Sequence, residues 1–306
     1  MSALQFRTDG QLLLTGDAGG KVQLFELKNK YVLRSYQCGR STRVNALTFA
    51  DNLRNFASCG NDTTLRYYDM QDSTHKSQIE ILAAHSDNIK QVALTDDNTL
   101  VSASADKCVK VWDLRNTSQC VSQFRVENAV EDFCTFDGKM VIAHGNTLTL
   151  GQFDGIQVRR LNDFYPFQKP CLKVKYDRER ERVIAGGMDS QLKFFHLDGA
   201  GKDQLSVDYK IKLPSEIFAF DISTDGNHFA LGLNDSSLII RSKLKDVPED
   251  AGMDEEQKMY AQFAPVMKKT SKDYKYFNRG QYVVKADPSD LQALKSRSKQ
   301  KLQPYE

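Results

Sequence analysis

The sequence predicts an all-β fold in which a four-stranded unit is repeated around a ring, a β-propeller. Three observations predict it. One hairpin-like phrase returns every forty-odd residues, each copy follows another short alternating run, and the composition is that of a globular chain. With 40% hydrophobic and 27% charged residues, and 18 Gly and 7 Pro among 306, collagen-like, mucin-like and disordered classes are excluded.

The phrase is clearest in Leu100–Asp113, LVSASADKCVKVWD, where apolar and polar residues alternate on both sides of a turn near Asp106. It occurs upstream as Leu13–Glu26 and Phe56–Asp69, and downstream as Val183–His196 and Phe229–Arg241. A further copy, Val141–Gly151, is degenerate at its anchor. From Phe25 through Tyr68, Trp112, Gly151 and Phe195 to Arg241 the steps are 43, 44, 39, 44 and 46 residues. A first strand is expected before each hairpin, at Leu4–Phe6, Ala46–Phe49, Val92–Leu94, Val174–Tyr176 and Ala219–Ile222. Runs such as Val32–Tyr36 and Cys120–Phe124 supply a fourth. Four short antiparallel strands per repeat make one propeller blade.

These blades resemble WD repeats. The third carries that family's bonding chain in His85, Ser102, Asp106 and Trp112, read here as a structural blade tie whose members must all be satisfied. A hydrolase triad of Ser102, His85 and Asp106 is the competing reading, and one repeat phase explains all three without catalysis. Other repeats keep only the turn Asp (Asp62, Asp189, Asp235), and packing is expected to hold them together. Six WD40 blades are legible. Either the ring closes unusually with six, or it is a seven-blade ring that lacks an N-terminal portion, and the second is the expectation.

Residues 1–245 are read as the propeller and 246–267 as an acidic linker with a short helix. Residues 268–306 are read as a basic, aromatic-containing C-terminal extension. Lys268, Lys269, Lys272, Tyr274, Lys275, Tyr276, Phe277 and Arg279 interleave cations with rings, and Lys295, Arg297, Lys299 and Lys301 follow. Such a segment suits single-stranded RNA, phosphates meeting cations and bases stacking on rings. It equally suits docking onto a protein, and composition leaves both open.

Several chemistries lack their residues. The five His are scattered without metal-ligand spacing, and the six Cys include no Cys-x-x-Cys pair. Neither a phosphate-binding loop nor a Gly-x-Ser-x-Gly elbow occurs. No run reaches the roughly 18 apolar residues that span a bilayer. The expectation is an intracellular non-enzyme without cofactor, metal, small-molecule substrate or membrane.

Leu4–Leu14 with Gly20–Glu26 resembles an early blade of the nucleolar U3 small nucleolar RNA-associated protein 15 family, subunits of the UtpA (t-UTP) part of the small-subunit processome. Tyr274–Tyr282 resembles that family's post-propeller motif, with the final tyrosine one place early, and the run closing on Leu302–Tyr305 also looks like its continuation. The resemblance implies a nucleolar scaffold in pre-18S rRNA processing and ribosomal DNA transcription. Its partners would be other UtpA subunits and the pre-rRNA 5′ external spacer or U3 RNA. It also implies a first blade ahead of, and a helical domain beyond, the matched sequence. The alternative is a cytoplasmic WD40 adaptor in a ubiquitin ligase or trafficking coat.

Overall fold

The computed structural model describes residues 2–39, 42–72, 74, 76–96, 98–197, 204–223, 226–242 and 282–285. Its strands form six sheets of four antiparallel strands each, consecutive in the chain. The first blade is β1 (Ala3–Phe6), β2 (Leu12–Gly16), β3 (Lys21–Glu26) and β4 (Tyr31–Gln37). The second is β5 (Val44–Phe49), β6 (Asn55–Gly60), β7 (Leu65–Asp69) and β8 (Ile79–Ile81). The third is β9 (Ile89–Asp96), β10 (Thr99–Ser104), β11 (Cys108–Asp113) and β12 (Ser122–Arg125). The fourth is β13 (Val130–Phe136), β14 (Lys139–His144), β15 (Thr147–Phe153) and β16 (Val158–Phe164). The fifth is β17 (Cys171–Asp177), β18 (Arg182–Gly187), β19 (Gln191–Leu197) and β20 (Leu205–Lys212). The sixth is β21 (Ile217–Ile222), β22 (His228–Leu233), β23 (Ser237–Ser242) and β24 (Tyr282–Lys285). This is a WD40 β-propeller architecture with six blades.

The last strand differs from the sequence reading. β24 comes from within 268–306, the segment read as a separate extension, and Ile240 pairs with Tyr282 and Ser237 with Lys285. A strand of only four residues carries too little alternation to be distinguished inside a basic run. The remainder of 246–306 lies outside the described residues.

The turn between the second and third strands of a blade explains why an Asp recurs there. Asp62, Asp106, Asp189 and Asp235 each accept the backbone N–H two residues on. The intervening Thr63, Lys107, Ser190 and Ser236 have φ of 58°, 69°, 58° and 64°. The carboxylate replaces the hydrogen bond that the left-handed backbone would otherwise leave unmade.

Cross-strand pairing places the anchor residues on one side of each sheet. Phe49 opposes Phe56 and Phe56 opposes Tyr68, and this row packs with Leu14, Val22, Leu24 and Tyr36 of the blade before. Leu100 and Trp112 do the same against Ala57, Cys59 and Tyr67. Further clusters join the third to the fourth blade, the fourth to the fifth and the fifth to the sixth. Each interface sets the anchor row of one blade on apolar residues of its predecessor, Tyr36, Tyr67 and Phe194 among them. The fourth blade shows why its anchor is glycine: a Cβ at Gly151 would come within 3.0 Å of Val158 Cγ1. Val158, from the outer strand, packs partly buried in that cluster instead.

Polar groups of the inner strands stitch neighbouring blades. Ser2 Oγ donates to the Val44 carbonyl at 2.6 Å and Asn45 Nδ2 to the Ile89 carbonyl at 2.7 Å. Gln91 Nε2 donates to the buried carboxylate of Asp132 at 2.7 Å, which also accepts the backbone N–H of Val174 at 3.2 Å. One carboxylate thus joins the third, fourth and fifth blades.

Candidate interaction surfaces and the blade ties

In the third blade Trp112 Nε1 donates to Ser102 Oγ at 2.9 Å, Ser102 Oγ lies 2.8 Å from His85 Nε2, and His85 Nδ1 lies 2.9 Å from Asp106 Oδ2. An indole N–H only donates, so the serine hydrogen turns to His85 Nε2 and the imidazole proton resides on Nδ1, facing Asp106. Asp106 also accepts the backbone N–H groups of Ser86 and Cys108, at 3.1 and 3.0 Å. Burial pushes the His85 imidazole below its ordinary value, against the upward pull of Asp106. Burial alone would raise Asp106, but the bonds from His85 and the two backbone N–H groups outweigh it and hold the carboxyl low.

The order Asp, His, Ser is that of an acyl-transfer triad, whose serine must be open to a substrate carbonyl. Ser102 is fully buried, and its oxygen is already engaged by Trp112 and His85. The arrangement can fasten the loop before β9 to the turn after β10; it cannot attack a substrate.

Two other blades are tied by a cation that the sequence reading missed. Two residues before the anchor of the second blade, Arg66 reaches Asp62 Oδ2 at 2.6 Å and Glu80 Oε1 at 3.2 Å. At the same register of the fifth blade, Lys193 Nζ bonds Asp189 Oδ2 at 2.7 Å and the Pro166 carbonyl at 2.5 Å, over the Phe167 ring. Both cations are buried. Packing alone therefore does not hold these blades: Arg66 ties the turn of the second blade to its outer strand at Glu80, and Lys193 ties the turn of the fifth blade to the loop at Pro166, where the third blade uses His85. An Asp followed four residues later by Arg or Lys, at 62/66 and 189/193, was the available signal.

The proposed RNA- or partner-binding residues Lys268, Lys269, Lys272, Tyr274, Lys275, Tyr276, Phe277, Arg279, Lys295, Arg297, Lys299 and Lys301 all lie outside the described residues. On the propeller, the loops entering each first strand share one end of the blades with the Asp turns, as the His85–Asp106 bond requires. These loops expose Leu82 and Tyr165. At the opposite end, a crevice of about 330 Å³ runs between the third and fourth blades, lined by Val111, Trp112, Val121 and Ile156 among others. Arg115 at its rim pairs with Asp113 at 2.7 Å and, by its hydrogen bond, lowers that carboxyl to about 2.

Comparison with known proteins agrees with the geometry. The family model described as WD domain, G-beta repeat, matches residues 30–69, and that of the TEP-1 C-terminal beta-propeller matches residues 85–147. The WD40 beta propeller domain of Doa1 superposes with a TM-score of 0.66 at 18% identity, covering 79% of this chain and 78% of that one. A chain of the mitotic checkpoint complex superposes with a TM-score of 0.69 at 16% identity, covering 79% and 74%. The fold is that of a WD40 β-propeller, and the repeats are similar to WD repeats. WD repeat-containing protein 37 of Mus musculus is 24% identical over 70% of this chain and 41% of its own length. U3 small nucleolar RNA-associated protein 15 of Schizosaccharomyces pombe is 25% identical over 78% of this chain and 47% of its own. Protein SLOW WALKER 1 of Arabidopsis thaliana is 24% identical over 81% and 47%. The chain thus spans less than half the length of these relatives.

Proposed function

We propose that the protein is a non-catalytic scaffold of ribosome biogenesis, a nucleolar subunit of the small-subunit processome acting in pre-18S rRNA processing and in ribosomal DNA transcription. The observation that carries this reading is the similarity over 78% of the chain to a protein named as U3 small nucleolar RNA-associated. The likeness of Tyr274–Tyr282 to that family's post-propeller motif supports it, as does the saturated, buried state of the triad-like set Ser102, His85 and Asp106. In this reading the propeller binds other processome subunits, and the cations and rings of 268–301 contact the 5′ external spacer, U3 RNA or a neighbouring subunit.

A second reading is a cytoplasmic WD40 protein-interaction adaptor, and the similarity to a relative named only for its WD repeats, WD repeat-containing protein 37, accords with it. Purification of the tagged chain from nuclear extract, with and without ribonuclease, separates the two. Co-purification of U3 RNA and processome proteins is the expected result. Recovery in the cytoplasm without either would contradict it.

A further inference from the structure

The interfaces between blades are not closed alike at the end away from the Asp turns. Between the first and second blades Arg7 Nη1 donates to the Leu53 carbonyl at 3.1 Å and Arg34 Nη1 to the Asp72 carbonyl at 2.5 Å. Between the fifth and sixth, Arg180 Nη1 donates to the Gly226 carbonyl. Between the third and fourth, the loop from β11 to β12 (114–121) and the turn from β15 to β16 (154–157) line the two sides of the crevice of about 330 Å³. Among the described residues no hydrogen bond or ion pair crosses from one to the other. This is also the interface whose anchor is Gly151, so it lacks the ring that Tyr68, Trp112 and Phe195 set against their preceding blades.

The crevice has an apolar body and a charged end. Val111 lines it as a buried residue, and Val121 and Ile156, one from each blade, are 49% and 55% exposed. Two carboxylates also line it. Asp113 is neutralised by Arg115 at 2.7 Å. Asp154 has no cation beside it among the described residues; its Oδ1 accepts the backbone N–H groups of Gln157 and Ile156, at 2.7 and 3.0 Å. Those bonds hold its carboxyl below the ordinary value, so it is charged at neutral pH. The crevice therefore offers one uncompensated negative charge beside two half-open aliphatic side chains. On either side of it run the outer strands β12 and β16, each paired with one neighbour only.

We propose that this crevice binds an extended segment of a partner protein that carries an aliphatic side chain within two residues of a Lys or Arg. The aliphatic group lodges between Val121 and Ile156, and the cation meets Asp154. Apolar walls with a small number of placed polar groups are the usual make-up of a binding site. The charge selects the occupant, because a nucleic acid would bring phosphates against Asp154, whereas a basic side chain gains a charge-assisted hydrogen bond. The strand edges select its shape: an extended chain can pair with their outward N–H and C=O groups, which a helix, its backbone already satisfied, would not use. The two-residue limit follows from the turn, where Asp154 and Ile156 are themselves two positions apart.

The test pans a random peptide library displayed on phage against the purified 306-residue chain. The enriched peptides are then synthesised and titrated by fluorescence anisotropy. They should share an aliphatic residue within two positions of Lys or Arg. Val121→Ser combined with Ile156→Ser should leave the thermal midpoint within about 2 °C of the parent's, since both positions are half open. The same variant should weaken the peptides by at least about tenfold. Asp154→Asn keeps the oxygen that accepts the two backbone N–H groups and removes only the charge. It should weaken binding and abolish the loss of affinity that the parent shows as salt rises from about 0.05 to about 0.3 M, a dependence that a merely structural role would not move. Peptides without the aliphatic and basic pair, binding unchanged in either variant, or no enrichment would each overturn the proposal. A midpoint lowered by about 8 °C or more in the double variant would show the crevice closed in solution, with the same consequence. Benzoylphenylalanine at position 156 of the parent supplies an independent check, since a photo-adduct with another part of the same chain would show the crevice already filled and the proposal wrong.

Discussion

His85 and Asp132 each hold several elements through one side chain. Replacing His85 by Ala leaves Ser102 and Asp106 short of a partner, at a cost of about 2–3 kcal/mol. Because burial lowers the folded imidazole below 6.5, the unfolded chain binds more protons in the interval beneath that value. Stability is full above about pH 6.5 and declines as pH falls, with a limiting slope of about 1.4 kcal/mol per pH unit for each such histidine. His144, also lowered by burial, adds in the same direction. Urea unfolding of His85→Gln at pH 7.5, 6.5 and 5.5 should retain only the His144 share of that slope; a slope equal to the parent's would remove His85 from the account. Asp132→Ala strands Gln91 and the Val174 N–H and leaves Lys173 without its carboxylate, 3.5 Å away. Its expected cost is about 3 kcal/mol, read as a lower urea midpoint with an unchanged m-value.

At the scale of elements, what the sequence showed and what it concealed have separate physical causes. Period-2 alternation made the hairpins legible, and Trp112 and Tyr68 marked the side that meets the preceding blade. The bonding chain of His85, Ser102, Asp106 and Trp112 was also readable, since all four side chains belong to one repeat. Arg66 and Lys193 were not recognised because a cation on a strand ordinarily signals solvent, and only the three-dimensional approach of their carboxylate and carbonyl partners accompanies their burial. Val158 standing in for an anchor at Gly151 is likewise a consequence of packing between strands. β24 was concealed by distance: it joins β23 across 39 intervening residues, where the other blades return within four to nine. That strand supplies a prediction. A chain ending at residue 281 loses the outer ladder of the sixth blade and should unfold about 2–4 kcal/mol more easily than one ending at 285, from the net worth of a few ladder hydrogen bonds. Equal thermal midpoints would show that β24 contributes nothing to the blade.

For the whole molecule, six blades of one pattern make a platform, and a platform does not name its partner. The functional reading therefore rests on the relative named for U3 RNA and on residues 268–301, and it must be tested without disturbing the fold. Truncation at residue 245 would remove β24 together with the basic segment and confuse a folding defect with a loss of binding. Charge and ring substitutions upstream of Tyr282 avoid this. The most direct measurement is crosslinking of the protein to RNA in cells, with sequencing of the bound RNA. It should be made on the parent chain and on a variant carrying Lys268→Gln, Lys269→Gln, Lys272→Gln, Tyr276→Ala and Phe277→Ala. Reads concentrated on the pre-ribosomal 5′ external spacer or U3 RNA, and reduced at least tenfold in the variant, are the predicted result. A parent protein that crosslinks to no ribosomal precursor and no U3 RNA, and co-purifies with no processome subunit, would contradict the account.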